Sequence, residues 1–168
     1  MARTSILLTR ALVAEAASEA DQALILAITQ GTDEEVHRAI LAGAANLKRG
    51  VILCVNYAGP RKLKILLSHN APVRAMDLCA ALGRLPMLRL IMARARPIAL
   101  ENALIWALEG RLRASALALF EACPTWHRLP ASSLGLLADL LAGTRHRLLP
   151  KVLLALIPET RSPGDPAP

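Results

Sequence analysis

Aromatic side chains are nearly absent from the 168 residues: Trp106, Trp126, Tyr57 and Phe120 are the whole set, 2% of the chain. β-Branched residues are also scarce, with ten Ile, six Val and seven Thr. Strands favour both classes, so a sheet has little to build from. Long hydrophobic runs are missing as well, although mean hydropathy is +0.40. Asp139 interrupts the run at 134–141, and Pro150 and Lys151 interrupt the one at 148–157. No window approaches the ~20 apolar residues of a spanning helix, which argues against insertion into a bilayer. The three cysteines, Cys54, Cys79 and Cys123, form no C-x-x-C pair. Zinc sites want closely spaced ligand pairs, and Cys123 with His127 has no second pair to join it. The cysteines read as buried structural thiols in a reducing compartment, and neither a metal nor another cofactor is expected.

What the chain has in quantity is leucine (33) and alanine (31), the bulk of a 54% apolar composition. Both are strong helix formers, so the expected class is all-α. Such hydrophobicity excludes a disordered chain, and the length suits one domain with a continuous core. Charge is uneven. Residues 1–35 hold two arginines against six acids, net −4. Residues 36–113 hold thirteen Lys and Arg against three acids, net +10, and residues 114–168 are close to neutral at +1. The formal +7 therefore belongs to the middle of the chain.

Glycines mark a repeat: Gly31, Gly59, Gly83, Gly110 and Gly143. Before each lies an Ala- and Leu-rich segment, and after each an i, i+3, i+4 apolar stripe. After Gly31 come Val36, Ala39, Ile40, Gly43 and Ala44, and after Gly59 come Leu63, Leu66, Leu67, Asn70 and Ala71. After Gly83 come Leu88, Ile91, Met92 and Ala95. The fourth unit (Trp106 and Ala107, then Ala116, Leu119, Phe120 and Cys123) is looser, and the fifth (Leu140, then Leu149, Val152, Leu153 and Leu156) looser still. The spacing predicts five antiparallel helix pairs, each glycine ending a first helix in the left-handed C′ position. Pro60, Pro86 and Pro150 suit the starts of second helices, and Thr32 with Glu35 has the spacing of a capping box. A single pair cannot bury its stripes, so neighbours must stack.

This A-x-x-x-G-x-x-x-x-V-x-x-I/L-L-x-x-G-A pattern resembles the ankyrin repeat over residues 21–123, with a terminal unit at 132–157. Two departures stand out. The Thr-Pro-Leu-His opening of the first helix is replaced by Gln22-Ala23-Leu24-Ile25, Gly50-Val51-Ile52-Leu53 and Arg74-Ala75-Met76-Asp77. The glycine spacings, 28, 24, 27 and 33, are mostly shorter than the usual repeat of about 33 residues, which points to trimmed fingers. A generic α-solenoid is the alternative. The expected organisation is a capping helix over 1–20, a repeat domain over 21–157 and a disordered tail over 158–168. Arg3 and Arg10 with Thr4, Ser5 and Thr9 also resemble a mitochondrial presequence, so mitochondrial, nuclear and cytoplasmic locations are all open, with cytoplasmic preferred.

No catalytic constellation is legible. The four histidines lack a paired acid or nucleophile, and His37 and His69 read as partners of helix C-termini rather than metal ligands. A non-enzymatic role is expected. Resemblance to ankyrin repeats implies protein binding on the concave face made by the first helices. Counting back from the glycines, Tyr57, Leu82, Leu108 and Leu141 are the expected apolar stripe; the opposing reading is that they are core. Arg94, Arg96, Arg111 and Arg113 are expected near inter-repeat turns, lining one edge that would attract acidic protein, nucleic acid or anionic lipid. Scarcity of stacking aromatics disfavours nucleic acid. The segment from Ser133 to Ala142 with Leu148-Leu149-Pro150 loosely resembles a SOCS box, and Leu129-Pro130 could open a degenerate F-box. Either resemblance implies a ubiquitin-ligase adaptor that recruits elongin or a cullin, although Ala138 stands where a SOCS box carries cysteine. Shortened ankyrin repeats resemble those of viral proteins and host-directed bacterial effectors.

Overall fold

A computed structural model of the chain describes residues 9, 13–16 and 18–156, which hold ten α-helices and no strand. They are α1 (Glu19–Thr29), α2 (Asp33–Leu41), α3 (Leu47–Tyr57), α4 (Pro60–Ser68), α5 (Ala75–Ala81), α6 (Leu85–Met92), α7 (Pro97–Glu109), α8 (Arg113–Ala122), α9 (Ala131–Thr144) and α10 (Leu149–Leu156). A 3₁₀ turn at Trp126–Arg128 precedes α9. The expected capping helix over 1–20 and tail over 158–168 fall mostly outside the described residues. Val13 and Ala16 pack against the core, and Glu15 pairs with Arg49 at 2.9 Å.

Consecutive helices pair as α1–α2, α3–α4, α5–α6, α7–α8 and α9–α10. The first members α1, α3, α5, α7 and α9 also touch in succession, and so do α2, α4, α6 and α8. Two rows result, and the fold is an all-α, solenoid-like stack of helix pairs. The buried stripes are largely those the repeat register selects: Val36 and Ala39, Leu63 and Leu66, Leu88 and Ile91, Ala116 and Leu119. Thr32 and Glu35 form the capping box, with the Thr32 N–H donating to Glu35 Oε2 at 2.7 Å and the Glu35 N–H to Thr32 Oγ1 at 3.3 Å. The bond from the Thr32 backbone holds the Glu35 carboxyl below the usual range. That contribution is present above the ordinary glutamate pKa and is lost as pH falls through the lowered one.

The glycines work differently from the expected pattern. Only Gly83, at φ +83°, takes the left-handed position after a first helix. Gly59 is instead the extended N-cap of α4, and Gly143 lies inside α9. Arg111 (φ +53°) and Arg145 (φ +49°) carry the left-handed turns of the last two units. Gly31 is needed for space, since a Cβ there would stand 2.8 Å from Ala27 Cα.

Units are tied by side chains that close the preceding unit's backbone. Lys62 Nζ donates to the carbonyls of Ala27, Ile28 and Gly31 at 2.7, 3.0 and 2.7 Å, using all three ammonium protons on the end of α1. Arg84 Nη1 donates to the carbonyls of Val55 and, at 3.1 Å, Asn56 at the end of α3. Buried Ser115 Oγ accepts from the Gly83 N–H at 3.1 Å. Buried Asp21 accepts from the Asn46 N–H at 2.9 Å, joining the starts of α1 and α3. The fifth unit departs from this order, because α10 packs on α9 without comparable packing on α8. Phe120 meets the edges of Trp126 and His146 at 5.6 and 5.7 Å between ring centroids, which fills the corner instead.

Replacing Lys62 by Met should strand three carbonyls at a negative helix end. Hydrogen bonds to a charged group contribute about 1.5–3 kcal/mol, so a loss of roughly 2 kcal/mol and a Tm lower by ~4–8 °C are expected in thermal unfolding.

Candidate protein-binding surface

Because the second row covers one side of the first, the opposite side of α5 and α7 faces outward. Met76 on α5 is 65% exposed, and on α7 Ile98 and Trp106 are 61% and 63% exposed. On α7 the outward positions run Ile98, Asn102, Ile105, Trp106 and Glu109, a face of helical period, while Leu100, Ala103, Leu104 and Ala107 are buried behind it. The exposed indole, on the fourth helix of the row, is the largest apolar side chain exposed on this side.

A second feature adjoins the C-terminal end of α7. An open groove of about 270 Å³ runs between the α7–α8 turn and the second half of α9. Leu108, Leu112, Leu136 and Leu140 supply apolar walls, and Arg111, Arg113 and Asp139 supply charge. Neither arginine side chain has an ion pair or hydrogen-bond partner among the described residues.

The expected stripe is only partly exposed. Tyr57, the last residue of α3, is 49% exposed, and Leu82, which ends α5, is half-buried. Leu108 and Leu141 are 5% and 0% exposed, so they belong to the core rather than to a surface stripe. The reason is geometric: in the last turn of each longer first helix, Leu108 and Leu141 lie on the side that packs on the neighbours, while Trp106 and Glu109, or Ala142, lie on the side that faces out. Trp106, which the repeat register places only as part of the segment before Gly110, is turned outward. An indole in an otherwise aromatic-poor chain is a signal that could have directed attention there.

The four arginines do not share an edge. Arg94 and Arg96 lie between α6 and α7, while Arg111 and Arg113 lie between α7 and α8. The thirteen residues of α7 separate the two pairs by about 20 Å at 1.5 Å per residue. All four are exposed, and Arg94 Nη1 donates to Asn70 Oδ1 at 3.3 Å.

Other candidate groups are scattered. Cys54 and Cys123 are buried, as the thiol reading expects, whereas Cys79 is half-buried. Desolvation raises all three thiols, and pushes Cys54 from 9.0 up to about 12. His127 is exposed; His146 Nδ1 accepts from the Leu148 N–H at 3.3 Å, and its Nε2 lies 3.8 Å from Glu121 Oε1. Among the described residues no three or more metal-ligating side chains gather, and no helix is long and apolar enough to cross a membrane.

With a pKa of about 12, Cys54 holds about one part in ten thousand of thiolate at pH 8. It should stay unmodified by thiol-disulfide reagents until the protein unfolds. The raised pKa also favours the folded state fully below pH ~9, and this stabilisation should fade as pH rises toward 12, measurable by alkaline denaturation. Leu108→Ala and Leu141→Ala should each cost about 3 kcal/mol in denaturant titrations, as buried leucines do.

A scan against protein-family models, a search of curated proteins and a search of solved structures each found no match.

Proposed function

We propose that this chain is a non-catalytic protein-binding solenoid of degenerate ankyrin type, which engages a partner on the outward side of its first row. The exposure of Trp106 carries this reading. Tryptophan in the centre of an interface dominates binding energy more often than other residues, because it buries a large rigid surface and offers one N–H donor. Ile98 and Ile105 share its face of α7 and Met76 is exposed on the neighbouring α5, with the Leu136 groove beyond, on helices whose other sides are locked into the stack. Such a surface is preformed, so a partner is met with little ordering cost. The ankyrin assignment is supported by short paired helices, the Thr32–Glu35 box and the two-row stacking; the missing Thr-Pro-Leu-His opening separates it from regular members.

The ligase-adaptor reading has less behind it. Leu134, Leu137, Ala138 and Leu141 of the SOCS-like segment are spent in the chain's own core, and Leu136, Asp139 and Ala142 face out. Binding of a polyanion has less support too, since the arginines stand at opposite ends of α7.

The test is affinity capture followed by reconstitution with the purified partner. Trp106→Ala should weaken the complex at least tenfold while moving Tm by no more than ~2 °C, and Lys64→Ala, exposed on α4 of the second row, should leave affinity within twofold. A complex indifferent to Trp106→Ala, Met76→Ala and Ile98→Ala together would overturn this surface.

A further inference from the structure

Sequence alone gives His37 and His69 separate roles beside helix ends, 32 residues apart. Folding brings them together. His37 projects from the middle of α2 and His69 caps the end of α4, in adjacent units of the second row. His37 Nδ1 and His69 Nε2 are 3.4 Å apart, with ring centroids at 5.5 Å and planes inclined by 70°.

We propose that this histidine pair is a surface site for a divalent transition-metal ion, of the zinc, copper or nickel kind, held between the first and second units. The geometry suits it. Two nitrogens each bound at 2.0–2.1 Å to a tetrahedral ion stand about 3.3–3.4 Å apart, so the rings already have the separation of two ligands. Each lone pair needs to turn only about 35° from the N···N line to meet at a shared ion. Both nitrogen types are ordinary imidazole ligands, and imidazole suits these metals. His37 is exposed and His69 half-buried, which leaves water access to the remaining coordination positions. Asp33 and Glu34 precede His37 by four and three residues on α2, the helical spacings that share a side, and bring negative charge toward a cation.

Without metal, one ring N–H donates to the other nitrogen across the same gap. Loading moves that proton to the outer nitrogen of the donor ring, so both inner lone pairs bind the ion and no net proton is released from the neutral pair. The bound ion joins α2 to α4, and it stabilises the folded chain because an unfolded chain does not hold the rings together.

The experiment titrates tag-free full-length protein with zinc chloride and with copper chloride by calorimetry, with magnesium chloride as the hard-cation control. One zinc or copper ion per chain is expected, and none of magnesium. Tm should rise by about 3–6 °C at a tenfold excess of free zinc over Kd. His37→Ala and His69→Ala should each abolish the Tm rise and weaken binding at least tenfold, whereas His127→Ala should change neither. Paramagnetic resonance of the copper form should show two imidazole nitrogens, a readout that a structural role for the rings would not produce. Circular dichroism of the metal-free variants keeps folding separate, with His69→Gln standing in should the alanine variant unfold. Absence of zinc and copper binding, or a Tm rise that survives either alanine substitution, overturns the site.

Discussion

Short helices end often, and every end leaves backbone carbonyls without an intrahelical partner. This chain closes the ends of α1 and α3 with side chains from the following unit: Lys62 gathers three carbonyls and Arg84 two. The closure fixes more than a helix end. It ties the start of the next second helix, α4 or α6, to the end of the preceding first helix. A helix pair cut away from its successor would lose its C-terminal closure along with its apolar contacts. That is why the units depend on one another through polar bonds as well as through the hydrophobic core.

The composition follows from the same geometry. Helices approach closely where small residues are buried, and at Gly50 a Cβ would stand 3.3 Å from Ile28 of the adjacent first helix and 3.1 Å from Leu66 of α4. Buried Ala27, Ala81, Ala103 and Ala107 serve the same row, and leucines fill the space toward the second row. A core of this kind has little room for aromatic rings. Phe120 is the exception, and it sits where the fifth unit turns away from the row.

The all-α class, the order of helix pairs, the Thr32–Glu35 box and the proline starts were readable because they rest on local chemistry: propensity, spacing and first-turn hydrogen bonding. The glycine roles were less readable. A glycine before a helix and one after a helix look alike in sequence, yet Gly59 is an extended N-cap whereas Gly83 is left-handed. The surface was least readable of all. Leu108 and Trp106 are two residues apart on one helix, and their fates, core and solvent, are set by neighbours far along the chain. Counting from a punctuation residue misjudges that by a fraction of a turn, which moves a side chain from one face to another. His37 and His69 show the same limit, since only stacking brings residues of different units into contact.

The length of α7 shapes what the surface can recognise. At thirteen residues it is longer than the first helices before it, and it holds basic turns at both ends with an apolar face between. A ligand lying along it would meet positive charge at its two extremities and hydrocarbon in the middle. Lys62 has a consequence of a different sort. With its nitrogen drawn in against three carbonyls of α1, its amine is shielded from an acylating reagent until the helix end opens. Among the lysines of this protein it would be the last to be labelled, and once labelled it could no longer close the helix it serves.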